Sequence, residues 1–348
     1  MLRTCLISTS ALLLAALACR DDATMPTAPP PAGSEDLPAF ALASNSWHTR
    51  ADMPSDRIDL AAQVLSNAAG QSLVYAIGGA NLSLGSQSKV QTYNVATNTW
   101  STKAPLPVPL YGSNGAAVIA GKIYISGGST ALRTYSRALY RYDPGSNAWT
   151  RKRDMPQRTS DGVSGVIQGK LYVLTSCQDE EVCDIPSDSV LFYRYDPASD
   201  RWASLPAPMV SHLGGMGAVV NGKLYVTGGC LEPADALPLD VYDPVANKWT
   251  RKAPEPHPIC RGAGAGVGGK LYIFGGVARD LESEPVVRTT RVYDVASNTW
   301  TTGAPLPTAR WRMAARAVVL NGQTGVEVIG GDGDFAAKLD HNNLLFIP

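Results

Sequence analysis

Residues 115–152 read GAAVIAGKIYISGGSTALRTYSRALYRYDPGSNAWTRK, and this stretch decides the fold. The small residues at its start suit a crowded strand, and Gly121-Lys122 is a tight hairpin turn. Gly127-Gly128 ends an apolar, β-branched run, where glycine permits positive φ and close backbone approach. The stretch therefore predicts four short antiparallel strands, at Gly115–Ala120, Ile123–Ser126, Leu139–Tyr142 and Trp149–Lys152.

Tryptophan recurs along the chain at almost even spacing. The six positions are Trp47, Trp100, Trp149, Trp202, Trp249 and Trp300. The spacings between them are 53, 49, 53, 47 and 51 residues. A period of about 50 residues, with one supersecondary element in each unit, is typical of a β-propeller.

The other features of the stretch repeat together with the tryptophan. A glycine pair ends the second strand at Gly78-Gly79, Gly127-Gly128, Gly228-Gly229, Gly275-Gly276 and Gly330-Gly331, and the third unit has Thr175-Ser176-Cys177 instead. A tyrosine precedes the pair at Tyr75, Tyr124, Tyr172, Tyr225 and Tyr272. A second tyrosine follows at Tyr93, Tyr142, Tyr195, Tyr242 and Tyr293. An Asn or Asp stands two positions before each tryptophan, at Asn45, Asn98, Asn147, Asp200, Asn247 and Asn298.

These coincident motifs resemble the kelch repeat, and the resemblance covers residues 45–348. It implies an all-β fold, a six-bladed kelch β-propeller with four-stranded antiparallel blades. The last unit stops without a tryptophan strand, whereas Ser46–Met53 at the start carries Trp47 without preceding strands. We therefore expect the N-terminal strand to complete the last blade and to close the ring without a covalent link.

Composition bounds the possible partners. The chain of 348 residues has 30 basic and 30 acidic side chains, so its formal net charge is zero. Phosphate binding requires a basic face, so this balance argues against nucleic acid as a partner. The hydrophobic content of 45% is ample for a large core.

The start of the chain lies outside the repeat. Arg3 followed by the apolar run Leu6–Leu17 is typical of a signal peptide, which we assign to residues 1–18. Cys19 after small residues resembles a bacterial lipoprotein cleavage site, with ordinary cleavage as the alternative. Residues 19–44 then predict a lipid-anchor cysteine and a flexible Ala/Pro-rich linker. We expect an exported protein of the cell envelope, lipid-anchored to a bacterial membrane at the periplasmic or outer surface, or else secreted.

The remaining cysteines fit an oxidising compartment. Cys177 and Cys183 bracket a five-residue loop after the second strand of unit 3, where a crosslink could replace the missing glycine turn. Cys230 follows the second strand of unit 4 and Cys260 precedes the first strand of unit 5, which places both on one rim of adjacent blades. We predict two disulfides, Cys177–Cys183 and Cys230–Cys260, over the alternative of a metal site, which needs more ligands nearby. No metal or cofactor is predicted.

The candidate ligand site is one rim of the propeller. In propellers the loops of one rim converge on the central channel and usually carry binding or catalysis. Here these are the loops before each first strand and after each second strand. The first set carries the predicted ligand-binding residues Arg57, Asp59, Tyr111, Arg158, Asp161, His212, Arg261, Arg310, Trp311 and Arg312. Guanidinium groups recognise carboxylates and phosphates bidentately, and the aromatic rings could stack on a sugar or support an arginine.

Two alternatives for these loops remain open. The arginines could simply hydrogen-bond loop carbonyls, or pair with Asp59 and Asp161, as structural ties. The second set of loops is acidic, which favours a solvated rim over a Ca²⁺ site because no spacing matches a defined calcium loop. The acidic residues are Asp179, Glu180, Glu181, Asp184, Glu232, Asp235, Asp280, Glu282 and Glu284.

Two enzyme families offer a different function by resemblance. Galactose oxidase is a kelch-containing copper enzyme with His and Tyr ligands, and His212, His257 and Tyr111 share a rim here. That family has seven blades, however, and this chain has four histidines in all. The sialic-acid mutarotase is similar in being an exported six-bladed kelch propeller. Its chemistry needs an acid/base pair and an anion clamp, which Asp161 or Glu232 and an arginine could provide.

The sequence thus predicts a binding module rather than an enzyme. The expected partners are a protein segment, a glycan or a small anionic ligand at the rim, and a membrane through the anchor on Cys19. A carbohydrate-active enzyme, mutarotase-like or oxidase-like, is the alternative.

Overall fold

A computed structural model describes residues 41–81, 85–113, 115–130, 134–176, 189–230, 238–279, 285–333 and 342–348. These residues lie in one compact unit, Ala41–Pro348, which begins four residues before the predicted start of the propeller. The regular secondary structure of the described residues is entirely β.

The strands are β1 (Ser46–Arg50), β2 (Ala61–Ser66), β3 (Ser72–Ile77), β4 (Ala80–Asn81), β5 (Gly85–Ser86), β6 (Val90–Asn94), β7 (Thr99–Lys103), β8 (Ala116–Ile119), β9 (Lys122–Ser126), β10 (Leu139–Asp143), β11 (Ala148–Lys152), β12 (Ser160–Ile167), β13 (Lys170–Ser176), β14 (Val190–Asp196), β15 (Arg201–Ser204), β16 (Met216–Val220), β17 (Lys223–Thr227), β18 (Leu239–Asp243), β19 (Lys248–Lys252), β20 (Ile259–Cys260), β21 (Ala263–Val267), β22 (Lys270–Phe274), β23 (Val277–Ala278), β24 (Thr290–Asp294), β25 (Thr299–Thr302), β26 (Ala314–Leu320), β27 (Gln323–Ile329) and β28 (Asn343–Ile347).

Six four-stranded antiparallel sheets form the blades. In order along the chain they are blade 1 (β2-β3-β6-β7), blade 2 (β8-β9-β10-β11), blade 3 (β12-β13-β14-β15), blade 4 (β16-β17-β18-β19), blade 5 (β21-β22-β24-β25) and blade 6 (β26-β27-β28-β1). The outer strand of blade 6 is the N-terminal β1, which pairs with β28 and sets Trp47 opposite Phe346. The predicted six-bladed fold and its closure by the N-terminal strand are therefore confirmed.

The first strands of the blades line a central channel. Each of them contacts the first strand of the next blade, and β26 contacts β2, which closes the ring. Small residues allow this approach: a Cβ added to Gly264 would come within 2.7 Å of the backbone of Gly217 in the neighbouring blade. Each first strand is also the end strand of its sheet, so one of its backbone edges faces the channel.

The repeated Tyr, Asn and Trp tie each blade to the one before it. In blade 1 the Trp100 indole N–H donates to the carbonyl of Ala51, which follows the outer strand of blade 6, at 2.8 Å. The Asn98 Oδ1 accepts from the Ala51 N–H at 2.8 Å and from the Tyr93 hydroxyl at 2.7 Å. The other indoles bond a preceding blade in the same way, at Trp47, Trp149, Trp202, Trp249 and Trp300. The tryptophans thus hold the ring together at its outer wall.

The second-strand tyrosines pack into the next blade along the ring. Each lies 5.7–6.1 Å from an aromatic ring of that blade, in the pairs Tyr75–Tyr142, Tyr124–Tyr195, Tyr172–Tyr242, Tyr225–Tyr293 and Tyr272–Phe346. Blade 6 has Glu327 at this position, fully buried. Burial raises the pKa of Glu327 to about 7, although the charge of Arg50 and the amide of Asn343 oppose the rise. The interface at which the ring closes therefore contains a carboxyl group in place of an aromatic ring.

Hydroxyl groups replace the glycine pair in blade 3. The Thr175 Oγ1 donates to the carbonyl of Ser160 at 3.1 Å, and the Ser176 Oγ accepts from the Ser211 hydroxyl at 2.9 Å. These two residues occupy the place of the pair at the end of β13. Cys177 follows these two residues in the sequence and lies outside the described residues.

Several predictions concern residues outside the described part of the chain. They are the signal peptide 1–18, the lipidation of Cys19, the Cys177–Cys183 disulfide and the acidic residues of the second loops, and all of them stay predictions. The described residues include no helix with the length and apolarity needed to cross a membrane.

Candidate functional site at the channel mouth

Six equivalent residues, one from the loop before each first strand, form the mouth of the channel. The backbone N–H of each donates to the carbonyl of its counterpart in the preceding blade at 2.7–3.1 Å, and the sixth bond closes the circle. The mouth residues are Asp59, Gly112, Asp161, Gly214, Arg261 and Arg312, with φ between 50° and 68°. Glycine adopts this left-handed conformation freely, whereas other residues do so at a cost of about 1 kcal/mol. Four charged side chains nevertheless stand at these positions.

The four charged side chains form an alternating chain of acid and base. Two guanidinium nitrogens of Arg312, Nε at 2.7 Å and Nη2, donate to the Asp59 Oδ2. The Arg261 Nη1 lies 3.9 Å from the Asp59 Oδ1 and 3.9 Å from the Asp161 Oδ1. Arg312 also lies over the Trp311 ring, 5.1 Å from its centroid. Arg312 is thus firmly held, whereas Arg261 stands between two carboxylates without a hydrogen bond to either.

Burial shifts the pKa values of two of these charged side chains, Asp161 and Arg312. It raises the pKa of Asp161, and the negative charge of Asp59 adds to the rise, while Arg261 and the hydroxyl of Ser160 oppose it. Burial by itself would lower the pKa of Arg312, but its hydrogen bonds to Asp59 raise it above the ordinary value. Asp161 is therefore more readily protonated than an ordinary aspartate.

The mouth opens into a cavity of about 150 Å³ that its own residues line. Glycine makes room for the charged groups: a Cβ on Gly112 would come within 2.8 Å of the Asp161 Oδ1. Sequence reasoning missed Arg316, which lines the same cavity from β26. The sequence did contain a signal for Arg316. It is an arginine at a first-strand position where the other five blades have glutamine, alanine or glycine.

The side chain of Arg57 does not face the mouth of the channel. This corrects the prediction that Arg57 is a ligand-binding residue. Its side chain is 0% exposed. The Nη1 donates to the carbonyls of Gly78 at 2.9 Å and Lys89 at 3.1 Å, and the Nη2 donates to the Gln91 Oε1 at 2.7 Å. Burial lowers the pKa of Arg57 to about 10. The guanidinium is a structural tie inside blade 1, as the alternative interpretation anticipated.

Arg310 and His212 are buried in the same way, and their predicted rim role is corrected too. The Arg310 Nη1 donates to the carbonyls of Gly330 and Asn342 at 3.3 and 3.0 Å. The His212 Nδ1 lies 2.8 Å from the carbonyl of Gly228, and its Nε2 lies 3.2 Å from the Asp240 Oδ2. A guanidinium or imidazole side chain thus contacts the carbonyl of the first glycine of the pair in three blades, at Gly78, Gly228 and Gly330.

The remaining predicted residues lie on the rim. Tyr111 and Trp311 are half-buried, each forms an antiparallel bridge to the segment after a second strand, and each precedes a mouth residue. Arg158 is exposed and has no hydrogen bond or ion pair with the described residues. The structure therefore groups Tyr111 and Trp311 with the mouth, whereas Arg158 is exposed without a partner among the described residues.

A disulfide joins blades 4 and 5 beside the mouth. Cys230 and Cys260 are bonded, with their Cα atoms 5.2 Å apart. A Cβ on Gly214 would come within 2.6 Å of the Cys230 sulfur, so the bridge packs directly against the mouth. With Cys260 bonded and His212 held by Asp240, neither is open to a metal ion. The described residues also contain no cluster of three or more His, Cys, Asp or Glu side chains that could hold a metal.

Comparison with protein families agrees with this architecture. The model of the Attractin/LZTR1 beta-propeller matches residues 31–232, more than half of the 348. The chain belongs to this family. The Kelch motif also matches residues 258–307, so the propeller is built from kelch repeats.

Curated relatives share the repeat but are much longer proteins. Kelch-like protein 25 of Xenopus tropicalis is 33% identical over 132 residues, covering 38% of this chain and 21% of that protein. Kelch-like protein 38 of Rattus norvegicus is 30% identical over 169 residues, covering 48% and 27%. Kelch-like protein terF of Aspergillus terreus is 32% identical over 148 residues, covering 40% and 32%. The matches therefore span about a fifth to a third of these relatives' length.

A solved structure shows the same fold over most of the chain. The structure titled "Structure of YjhT" superposes with a TM-score of 0.67 and 16% sequence identity. The match covers 85% of this chain and 96% of the other. At this identity the likeness supports the fold alone.

Proposed function

We propose that this kelch propeller is a recognition module that binds a protein segment at the channel mouth, with Arg261 as the main donor. The observation that carries the proposal is the arrangement of Arg261. Its two carboxylate contacts are 3.9 Å long, beyond hydrogen-bond distance, and its side chain is 25% exposed. Its N–H groups are therefore open to a ligand, in contrast to those of Arg312.

The mouth favours a ligand that offers a carboxylate and a planar group. A guanidinium presents a rigid fork of donors that matches a carboxylate, such as an acidic side chain of a protein segment. Tyr111 and Trp311 flank the mouth and could stack on a planar group. Four side chains hold a left-handed conformation where glycine would suffice, and such outliers cluster at functional sites. Kelch propellers generally bind protein partners, which favours a protein segment over a glycan.

Replacing Arg261 should weaken binding without unfolding the protein. Arg261→Gln removes the fork of donors but keeps a polar side chain between Asp59 and Asp161. We expect a loss of affinity of about 10- to 100-fold, which corresponds to about 1.4–2.8 kcal/mol. The probe is a library of acidic peptides on an array, followed by calorimetry with the best binder. The exposed Arg151→Gln is the matched control, since it removes a cation far from the mouth.

The outcome separates three cases. Loss of peptide binding in the Arg261 variant alone supports the proposal. Equal retention by Arg261→Gln and the wild type refutes it. Retention of glycans but of no peptide, on a parallel glycan array, would replace the protein segment with a carbohydrate.

A second candidate, a carbohydrate-active enzyme of the mutarotase kind, is favoured by one observation. Asp161 combines a raised pKa with an arginine 3.9 Å away, the pairing that acid/base catalysis with an anion clamp needs. Exchange of sialic-acid anomers followed by NMR tests this directly. The enzyme should accelerate the exchange, and Asp161→Asn should lose at least 100-fold of the acceleration. An uncatalysed rate with the wild-type protein excludes this candidate.

A further inference from the structure

A second cation lies inside the channel, away from the acid and base chain of the mouth. Arg316 is in the first strand of blade 6, four residues after the mouth residue Arg312. The positions in equivalent register are Gln63, Ala117, Gly165, Ala218 and Ala265. Five of the six inner strands therefore carry a neutral residue here, and the sixth extends a guanidinium into the channel.

The guanidinium stands at the junction of two cavities. The mouth cavity of about 150 Å³ and a channel cavity of about 270 Å³ are both lined by Arg316, Ser164, Gly217 and Gly264. Ser164 comes from blade 3, opposite blade 6 in a six-membered ring. The two cavities are therefore adjacent, and Arg316 lines both of them.

The charge of Arg316 has no counter-charge among the described residues. Its Nη1 donates to the carbonyl of the adjacent Ala315 at 2.7 Å, and it forms no ion pair with them. Glu327 stands opposite Arg316 in the β26–β27 register but lies in the interface with Arg50 and Tyr93. Burial lowers the pKa of Arg316 to about 10, and no carboxylate charge offsets that effect. A cation without a counter-charge in an enclosed space is costly, so it favours an anion nearby.

Hydrogen-bond donors for an anion are present in the same space. The Ser164 hydroxyl is buried and makes no hydrogen bond with the described residues, although it lines both cavities. Leaving such a group unsatisfied is unfavourable. The inner strands also turn their unpaired backbone edges toward the channel, where N–H groups are available. Among the described residues that line the channel cavity, Arg316 has the one formal charge, so a single negative charge would balance it.

We propose that the channel binds a small monovalent anion at Arg316, either a free inorganic ion or the carboxylate of a small organic acid. The site lies below the mouth and takes a different ligand from the protein segment proposed there. Its test reads the anion directly, so its result does not depend on whether the mouth binds a partner.

Bromide is the first probe, because its anomalous scattering locates it in crystals of the protein. We expect a bromide peak in the channel beside the Arg316 guanidinium of the wild type, and none in Arg316→Gln. We expect Arg316→Gln to fold normally, because blade 1 already has a glutamine, Gln63, at the equivalent position. Arg151→Gln is the control for loss of a surface cation and should keep the peak.

A salt response in solution tests the site independently, and competition in crystals distinguishes the two sources of the anion. Sodium bromide should raise the melting temperature of the wild type more than that of Arg316→Gln at equal ionic strength. If acetate or a larger carboxylate displaces bromide in crystals, the site takes the carboxylate of an organic acid. If neither displaces it, the site takes an inorganic ion. Absence of bromide from the wild-type channel, with identical salt responses of the two proteins, overturns the proposal.

Discussion

Arg57→Ala is expected to lower the free energy of unfolding by about 4 kcal/mol. The guanidinium of Arg57 satisfies the carbonyls of Gly78 and Lys89 and the amide oxygen of Gln91, all within blade 1. Truncation removes the donor of the Gly78 carbonyl and opens a cavity the size of a long side chain. The Lys89 carbonyl keeps the N–H of Gly78, and the Gln91 Oε1 keeps the hydroxyl of Ser55. Equilibrium unfolding in urea, followed by tryptophan fluorescence, measures the change.

Arg158→Ala is the matched control for this prediction. Arg158 lies in the corresponding loop of blade 3 but is exposed and bonds none of the described residues. Its removal should change the free energy of unfolding by less than about 0.5 kcal/mol. Equal stability of Arg57→Ala and Arg158→Ala would show that water replaces the lost donors, and the structural role of Arg57 would be wrong.

Glu327→Gln is expected to stabilise the protein above pH 7 by about 3 kcal/mol and to leave it unchanged near pH 4. The pKa of Glu327 rises from 4.5 to about 7 on folding because the side chain is buried. The folded state therefore holds its proton more tightly than the unfolded state. The contribution of Glu327 to stability is fully present below pH 4.5, falls between pH 4.5 and 7, and reaches its minimum above pH 7.

The measurement is the difference in urea unfolding between the variant and the wild type at several pH values. Taking the difference cancels the titration of the other groups, such as Asp161, whose pKa is also raised. Asp154→Asn, on the outer surface, controls for loss of a carboxylate in general and should not follow this pH profile. A pH-independent difference for Glu327→Gln would contradict the prediction.

Arg57→Ala and Glu327→Gln test buried positions rather than the mouth. Arg57 lies inside blade 1 and Glu327 lies between blades 6 and 1, and both side chains are fully buried. Arg261 and Asp161 stand at the mouth, where a substitution is expected to change binding or catalysis rather than folding. Three of the ten rim residues predicted from the sequence proved to be buried ties, namely Arg57, His212 and Arg310.

The backbone, rather than the residue type, decides which predicted rim residues are buried ties and which stand at the mouth. Arg310 and Arg312 are two positions apart in one loop, and their chemistry is the same. The loop turns at Arg312, with φ 58°, so the side chain of Arg312 points to the channel while that of Arg310 enters its own blade. Residue type alone does not distinguish them, because the distinction depends on the hydrogen-bond circle that six blades form together.

The repeat, the number of blades and the closure by the strand of Trp47 could all be predicted from the sequence. This was possible because the Tyr, Asn and Trp of each unit bond only to the same blade or its neighbour. The residues that make these contacts therefore recur once in every repeat of the sequence. The sequence also brought Cys230 and Cys260 to one rim, where they are bonded. What lies at the centre was decided by the tertiary structure alone. The mouth charges, the cation of Arg316 and the buried Glu327 acquire their environments only when all six blades meet, because burial and charge balance there are properties of the closed ring.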